Sequence, residues 1–270
     1  MATARTFSYR AGSGENIYGG ITPKIAHVYI GSGQSNYRGR GALADSPIAQ
    51  GVNIGNVKTW RRESIGSGDG QWLPLSYETN QYGGAGLFGS ILKFAMQVSA
   101  SIEDSNNDIY FISMDDSGVP IQGWVDGWQN SLMYNGHFIP AMAALSGDDS
   151  YDEIRIQQFM WDQGESDSAD IDIANAYKPK LEAVIADVRE FFGTPKLPVF
   201  IRRTESNHTY SSVVGNAQTE IANADDNITI LNGPWVYSDG VHIDGTSQNT
   251  VADARYAASV AVHPRGFMYA

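Results

Sequence analysis

Short apolar runs alternate along this chain with longer segments in which apolar residues recur at every third or fourth position. The short runs are typical of buried strands, and the longer pattern is typical of amphipathic helices. The predicted strands are Ala26–Gly31, Asp108–Met114, Glu153–Met160, Leu197–Arg202 and Asn227–Leu231. The predicted helices are Gly86–Ala100, Ile139–Ala144, Ala169–Phe192, Tyr210–Ala224 and Ser247–Val262. Strands that alternate with helices predict βαβ units, so we expect an α/β fold with a mainly parallel, five-stranded sheet.

The stretch 39–84 interrupts this alternation. It is rich in Gly, Ser and Asn, and it is predicted to be a long irregular insertion near the site. Loops of this length in compact domains are usually functional or disordered, and Trp60 and Trp72 argue against disorder. No linker indicates a second domain, so we expect one domain over residues 1–270, with residues 1–24 as an N-terminal extension.

Polar residues follow three of the predicted strands. Ser35 follows the first strand, Gln163 the third, and Asp239 and His242 the fifth. Open parallel sheets bind ligands outside the carboxyl ends of their strands. We therefore expect these four side chains at one edge of the sheet.

Ser35, Asp239 and His242 supply the three residue types of a nucleophilic triad. A serine hydroxyl needs a base to remove its proton, and that base needs a third group to orient it. Asp239 lies three residues before His242, so a short turn would bring its carboxylate to one ring nitrogen and leave the other free for a proton. Two of these residues also have ordinary interpretations, Ser35 as a helix or turn cap and His242 as a surface or core histidine.

The segment Trp161-Asp162-Gln163-Gly164-Glu165-Ser166-Asp167 follows the third predicted strand. Polar side chains at the end of a buried strand cost free energy unless they are hydrogen-bonded. One interpretation is that Glu165 and Asp167 cap the next helix. The other is that the Gln163 amide donates to a developing oxyanion.

Composition excludes several classes of function. The chain has 270 residues, a formal net charge of −12 and no cysteine. The charge disfavours nucleic acids and anionic membranes as partners, because both need basic surfaces. The lack of cysteine excludes disulfides, thiolate zinc sites and cysteine nucleophiles. No signal peptide or membrane-length apolar stretch is visible, so we expect a soluble protein whose location (cytoplasm, exterior or phage particle) stays open.

Two weaker patterns do not indicate a cofactor or a metal. Gly31-x-Gly33 is similar to the start of a dinucleotide-binding fingerprint, but Asn36 occupies the place of the third glycine. Asp167, Asp170 and Asp172 lack the glycine and the final glutamate of an EF-hand loop. We expect neither a metal nor an organic cofactor.

Three motifs occur together in an order that is similar to a known family. They are Gly33-Gln34-Ser35-Asn36, Trp161-x-Gln163-Gly164-Glu165-Ser166-Asp167 and Asp239-x-x-His242. Together they resemble the SGNH-type carbohydrate esterases, specifically the group that holds sialic-acid O-acetylesterases and acetylxylan esterases. The resemblance extends from about Ala26 to about Val262.

The resemblance implies a flavodoxin-like three-layer α/β/α sandwich with a serine triad. Ser35 would be the nucleophile, His242 the general base and Asp239 the residue that orients it. Ile243 stands where proline often follows the histidine, which weakens an inference about substrate more than one about reaction.

The resemblance also implies an oxyanion hole. Phe88-Gly89-Ser90 followed by Phe94-Ala95 matches a further family block, although Ser90 replaces its usual proline. The N–H groups of Ser35 and Gly89 and the Gln163 amide would then bind the oxyanion. Three further motif residues would support the site or bind substrate; they are Gln34, Asn36 and Glu165. The same is expected of Trp124, which follows Ser117-Gly118-Val119-Pro120-Ile121, a segment that loosely resembles another family block.

The predicted function is a carbohydrate O-acetylesterase that acts through an acyl-enzyme on an acetylated glycan. One alternative is a non-catalytic glycan-binding module on the same scaffold, with stretch 39–84 supplying aromatic side chains. Another is an SGNH lipase or thioesterase, which would need a broad apolar groove. The sequence leaves the identity of the sugar and the oligomeric state open.

Overall fold

A computed structural model describes residues 23–62, 70–77, 79, 87–102 and 107–262. Strands in these residues are β1 (Ile25–Gly33), β2 (Gly41–Ala42), β3 (Asn53–Arg62), β4 (Gly70–Ser76), β5 (Leu87–Phe88), β6 (Asp108–Asp115), β7 (Glu153–Asp162), β8 (Val199–Arg202) and β9 (Ile228–Leu231). The five predicted strands are confirmed as β1, β6, β7, β8 and β9. The predicted N-terminal extension lies outside the described residues except for its last two positions.

Each of the five predicted helical segments contains a helix, but Ala169–Phe192 is divided into two helices at Ala176, and the helices over residues 35–38, 122–126 and 128–131 were not predicted. The helices in the described residues are α1 (Ser35–Arg38), α2 (Ile91–Ser101), α3 (Gln122–Asp126), α4 (Trp128–Ser131), α5 (Ile139–Ser146), α6 (Ile171–Asn175), α7 (Tyr177–Phe191), α8 (Ser211–Ala224) and α9 (Gly245–Val262). A π-helical segment, Leu132–Phe138, joins α4 to α5. None of the helices in the described ranges combines the length and the apolarity needed to span a membrane.

The central sheet has the order β4-β3-β6-β1-β7-β8-β9. β1 pairs in parallel with β6 on one side and with β7 on the other, and β8 and β9 continue in parallel beyond β7. The five predicted strands therefore have the flavodoxin-like order β6-β1-β7-β8-β9. β6 lies on one side of β1, whereas β7, β8 and β9 follow one another on the other side, so the strand order reverses between β1 and β7. Ligands of such sheets bind at this switch point, outside the carboxyl ends of the strands.

The prediction of five strands is wrong in number, and the described residues of the stretch 39–84 (39–62, 70–77 and 79) are less irregular than predicted. The other residues of this stretch lie outside the described ranges. β3 pairs in parallel with β6, and β4 pairs antiparallel with β3 at the edge of the sheet. β3 is difficult to predict from the sequence because it contains Asn53, Gly55 and Asn56, and Gly and Asn are depleted in strands. Trp60 and Trp72 lie opposite each other across β3 and β4, with ring centroids 5.2 Å apart.

Hydrophobic clusters cover both faces of the sheet. Every residue of β1 is buried. One cluster packs alternate residues of β1, including Val28, against α5 and α7, and the other packs Tyr29 against α2 and α9. A fully buried apolar side chain contributes about 1.5–3 kcal/mol, so this central strand gives the site a rigid base. The arrangement is the predicted three-layer α/β/α sandwich.

Candidate active site

The turn from β1 into α1 places Ser35 at the first position of α1. Gly33 ends β1, and a Cβ at this position would lie 2.3 Å from the Asp162 carbonyl oxygen. The Gln34 N–H donates to that same carbonyl across 3.1 Å. Only glycine permits so close an approach of two backbones. The turn therefore holds Ser35 beside the carboxyl end of β7.

Ser35, His242 and Asp239 meet at the carboxyl edge of the sheet. Ser35 Oγ lies 2.9 Å from His242 Nε2. His242 Nδ1 lies 2.7 Å from Asp239 Oδ2. Ser35 is only 4% exposed, whereas the side chains of His242 and Asp239 are 25% and 55% exposed. The contacts have the geometry of a nucleophile, a base and an orienting carboxylate.

Asp239 also organises the turn that carries His242. Asp239 Oδ1 accepts hydrogen bonds from the N–H groups of Val241 at 3.0 Å and His242 at 2.7 Å. The Ser238 N–H donates to the His242 carbonyl at 2.8 Å. The hydrogen bonds from His242 hold the pKa of Asp239 well below its ordinary value. This carboxylate therefore stays ionised at neutral pH.

Asn36 and Glu165 lie next to the triad and are fully buried. Asn36 Nδ2 donates to Glu165 Oε1 at 2.7 Å, and Arg202 Nη2 donates to the same oxygen. Arg202 and Glu165 form an ion pair whose side chains are 0% exposed. A buried carboxylate needs such compensation, because removing an ion from water costs several kcal/mol. Of the two roles predicted for Asn36 and Glu165, the supporting one agrees with this burial.

The Gln34 side chain is anchored at its oxygen and unpaired at its nitrogen. Gln34 Oε1 accepts long hydrogen bonds from the N–H groups of Gly164 at 3.4 Å and Ser166 at 3.5 Å. Among the described residues, none accepts a hydrogen bond from Gln34 Nε2. The residue is 2% exposed. Gln34, directly before Ser35, thus holds an amide donor that finds no acceptor within the described part of the chain.

Gly89 lies against the backbone of α1. A Cβ on Gly89 would lie 2.8 Å from the Arg38 carbonyl oxygen and 3.0 Å from the Tyr37 carbonyl oxygen. The next residue, Ser90, is held by α9, since its N–H donates to Gln248 Oε1 at 3.0 Å. The start of α2 is therefore fixed beside the helix that begins with Ser35.

The structure contradicts the predicted role of the Gln163 amide. Gln163 Nε2 donates to the Val119 carbonyl at 3.2 Å and to Asp167 Oδ2. Both amide hydrogens are therefore engaged, and the residue is 0% exposed. Gln163 holds the loop before α3 against the end of β7 instead of facing an oxyanion.

Trp124 is a core residue. It is 0% exposed, its Nε1 donates to Ser32 Oγ at 2.9 Å, and its ring packs edge-on against Trp161. A stacking contact with a sugar needs an accessible ring face, so the substrate-binding alternative for Trp124 is wrong. The supporting alternative agrees with its position behind β1.

Asp170, not Asp167 or Glu165, caps the helix that follows β7. Asp170 Oδ1 accepts from the N–H groups of Asp172 at 2.9 Å and Ile173 at 3.1 Å. Asp167 instead accepts from the Ile121 N–H at 3.0 Å and from the Gln163 amide. Burial raises the pKa of Asp167 to about 6, against the opposing effect of these hydrogen bonds.

Sequence reasoning missed two buried arginines that support the site. Arg202 pairs with Glu165, and Arg255 Nη2 donates to Asp162 Oδ1 at 2.7 Å. The signal for Arg202 is a charge at the end of an apolar run, which demands a partner.

Within the described ranges, no three or more His, Asp or Glu side chains are grouped as ligands of a metal would be.

Several solved structures have the same fold. A protein from Arabidopsis thaliana is 20% identical, with a TM-score of 0.72, and the match covers 88% of this chain and 98% of that one. NanS is 14% identical, with a TM-score of 0.65 and coverages of 91% and 99%. A carbohydrate acetylesterase from Xanthomonas citri is 16% identical, with a TM-score of 0.56 and coverages of 86% and 55%. At these identities the likeness shows the fold alone.

The sequence also matches a family model. No curated protein sequence gives a match. The model described as carbohydrate esterase, sialic acid-specific acetylesterase (SASA) matches residues 25–261, from the start of β1 almost to the end of α9. Because the match covers most of the chain, the protein belongs to the SASA family of carbohydrate esterases.

Proposed function

We propose that this protein is a carbohydrate O-acetylesterase with Ser35 as its nucleophile. The observation that carries the proposal is the hydrogen-bonded chain from Ser35 through His242 to Asp239, with separations of 2.9 and 2.7 Å. Membership of a carbohydrate esterase family supports ester hydrolysis as the reaction.

In the acylation step, Ser35 Oγ attacks the acetyl carbonyl carbon while its proton moves to His242 Nε2. The Asp239 carboxylate stabilises the imidazolium that forms. His242 then gives this proton to the departing sugar oxygen as the ester C–O bond breaks. The sugar leaves with a free hydroxyl, and the acetyl group stays on Ser35.

In the deacylation step, water attacks the acetyl-Ser35 carbonyl carbon and gives a proton to His242 Nε2. The bond to Ser35 Oγ breaks, the proton passes to that oxygen, and acetate is released. General acid–base catalysis of this kind contributes about 10²–10⁴-fold to the rate.

The oxyanion of each tetrahedral intermediate needs preorganised donors. We assign the N–H groups of Ser35 and Gly89 and the Gln34 Nε2 amide. The Ser35 N–H lies in the first turn of α1, where N–H groups lack intrahelical acceptors. The unpaired nitrogen of Gln34 supports its assignment in place of the engaged Gln163 amide.

An acetylated carbohydrate is the substrate class that we propose. The name of the family and the description of the Xanthomonas citri protein as a carbohydrate acetylesterase support it. The part of the substrate that the site must recognise is the acetyl ester, which is small and uncharged.

Acetate release tests the proposal. The purified protein is incubated with p-nitrophenyl acetate, acetylated xylan and O-acetylated sialic acid, and acetate is measured for wild type and for Ser35→Ala. We expect release from at least one glycan, and a loss of about 10⁴–10⁶-fold in kcat for Ser35→Ala. Circular dichroism checks that the variant is folded.

Two results would contradict the proposal. Activity retained in folded Ser35→Ala would exclude Ser35 as the nucleophile. Binding of the glycans by wild type without any release of acetate would favour the non-catalytic module.

A further inference from the structure

Asn36 connects the two halves of the triad through backbone atoms. Asn36 Nδ2 donates to the Val241 carbonyl at 3.0 Å, and Asn36 Oδ1 accepts from the Ile243 N–H at 3.0 Å. Val241 and Ile243 flank His242, and Asn36 directly follows Ser35. The Asn36 side chain, on the helix that begins with Ser35, therefore holds both sequence neighbours of His242.

A third contact fixes the orientation of this amide. Asn36 Nδ2 also donates to Glu165 Oε1 at 2.7 Å, and Glu165 is paired with buried Arg202. A rotated amide would place its oxygen against the oxygens of Glu165 and Val241, which are both acceptors. The orientation of the Asn36 amide is thus fixed by Glu165, which follows β7 and is itself held by Arg202 at the end of β8.

Asp239 does not provide this connection. Its hydrogen bonds to Val241 and His242 lie within one turn, so they set the imidazole relative to that turn. The Asn207 N–H donates to the Gly240 carbonyl at 2.8 Å, which ties the turn to the segment after β8. Neither contact sets the distance from the turn to α1.

We propose that Asn36 is a positioning residue, which sets the separation of Ser35 Oγ and His242 Nε2 without touching substrate. The kinetic part of this inference rests on the proposed function. A misplacement of about 1 Å can cost on the order of 10²-fold in rate. For Asn36→Ala we therefore expect kcat to fall about 10²-fold, with KM unchanged within about three-fold.

A double-mutant cycle separates positioning from a general loss of stability. Once His242→Ala has removed the base, Asn36→Ala should change the residual rate by less than about three-fold. If the rate losses of the two single variants multiply in the double variant, the inference is contradicted. The matched control is Gln218→Ala, a buried amide that accepts from the Thr204 N–H at 2.8 Å and donates to the Gln163 carbonyl at 2.9 Å. This control should keep kcat within about three-fold of wild type.

A crystal structure of Asn36→Ala gives a readout that does not need activity. We expect the Ser35–His242 hydrogen bond to be lost and the His242–Asp239 hydrogen bond to be kept. If Asn36→Ala does not fold, Asn36→Ser replaces it, because the shorter hydroxyl cannot reach both flanking backbone groups. An unchanged Ser35–His242 separation would overturn the inference. If wild type releases no acetate but the variant shows the displacement, the proposed function fails and the positioning role stands.

Discussion

Carboxylates at the same edge of the sheet lie in two opposite environments. Asp239, in the turn after β9, has a side chain that is 55% exposed and accepts hydrogen bonds from two N–H groups and an imidazole. Glu165 and Asp167, in the segment after β7, are 0% exposed. Hydrogen bonding lowers the pKa of Asp239, whereas burial raises the pKa of Asp167 to about 6.

Under the proposed mechanism, this difference separates a carboxylate that takes part in the reaction from carboxylates that stabilise the structure at this edge of the sheet. Asp239 stays ionised in contact with water, so in the proposed mechanism it can stabilise the positive charge that forms on His242. Glu165 depends on Arg202, because a buried ion without a partner is strongly destabilising. We therefore expect changes at Asp239 to affect activity, and changes after β7 to affect stability.

The largest effect is expected from Asp239→Asn. The amide nitrogen would face His242 Nδ1 and favour the wrong imidazole tautomer, so kcat should fall about 10²–10⁴-fold. The midpoint of urea unfolding should change little. Acetate release and urea unfolding measure the two effects, with Asp253→Asn, an exposed partner of Lys93, as the control that keeps activity. Full activity in Asp239→Asn would show that its imidazole contact is not used.

Arg202→Met should have the next largest effect, which is a loss of stability. It leaves the buried Glu165 carboxylate without its cation, which costs about 3–5 kcal/mol of unfolding free energy. The control is Arg203→Met, because Arg203 pairs with Glu205 at a partly exposed position and should cost less than about 1 kcal/mol. Urea unfolding of both variants is the measurement. Equal costs at the two positions would contradict the distinction between the buried and the exposed pair.

The sequence was sufficient for features that depend on local spacing or on strand ends. Asp239 and His242 are three residues apart, and apolar runs place Ser35 and this pair after strands of one parallel sheet. Their meeting could therefore be predicted. β3 could not, because Gly55 and its asparagine neighbours obscure the strand pattern while the pairing with β6 determines the structure.

The direction of a buried polar side chain depends on partners that are distant in sequence. Gln163 was expected to face the oxyanion, but its amide is held by Asp167 and by the Val119 carbonyl from another loop. Gln34 has the opposite arrangement: its oxygen accepts two hydrogen bonds, and its nitrogen donates to none of the residues that the structure describes. A single sequence contains no signal that separates these two glutamines.

Asp167→Asn should have the smallest effect, and one that depends on pH. Burial raises the pKa of folded Asp167 from 3.8 to about 6, so its proton contributes stability that is fully present below about pH 4 and is lost as pH rises through about 6. Relative to Asp167→Asn, wild type should therefore lose about 2 kcal/mol of unfolding free energy between pH 4 and pH 7. Urea unfolding at both pH values gives this difference. Asp115, whose pKa burial also raises to about 6, is present in both proteins and cancels. A difference that does not change with pH would mean that Asp167 keeps the same charge throughout this range.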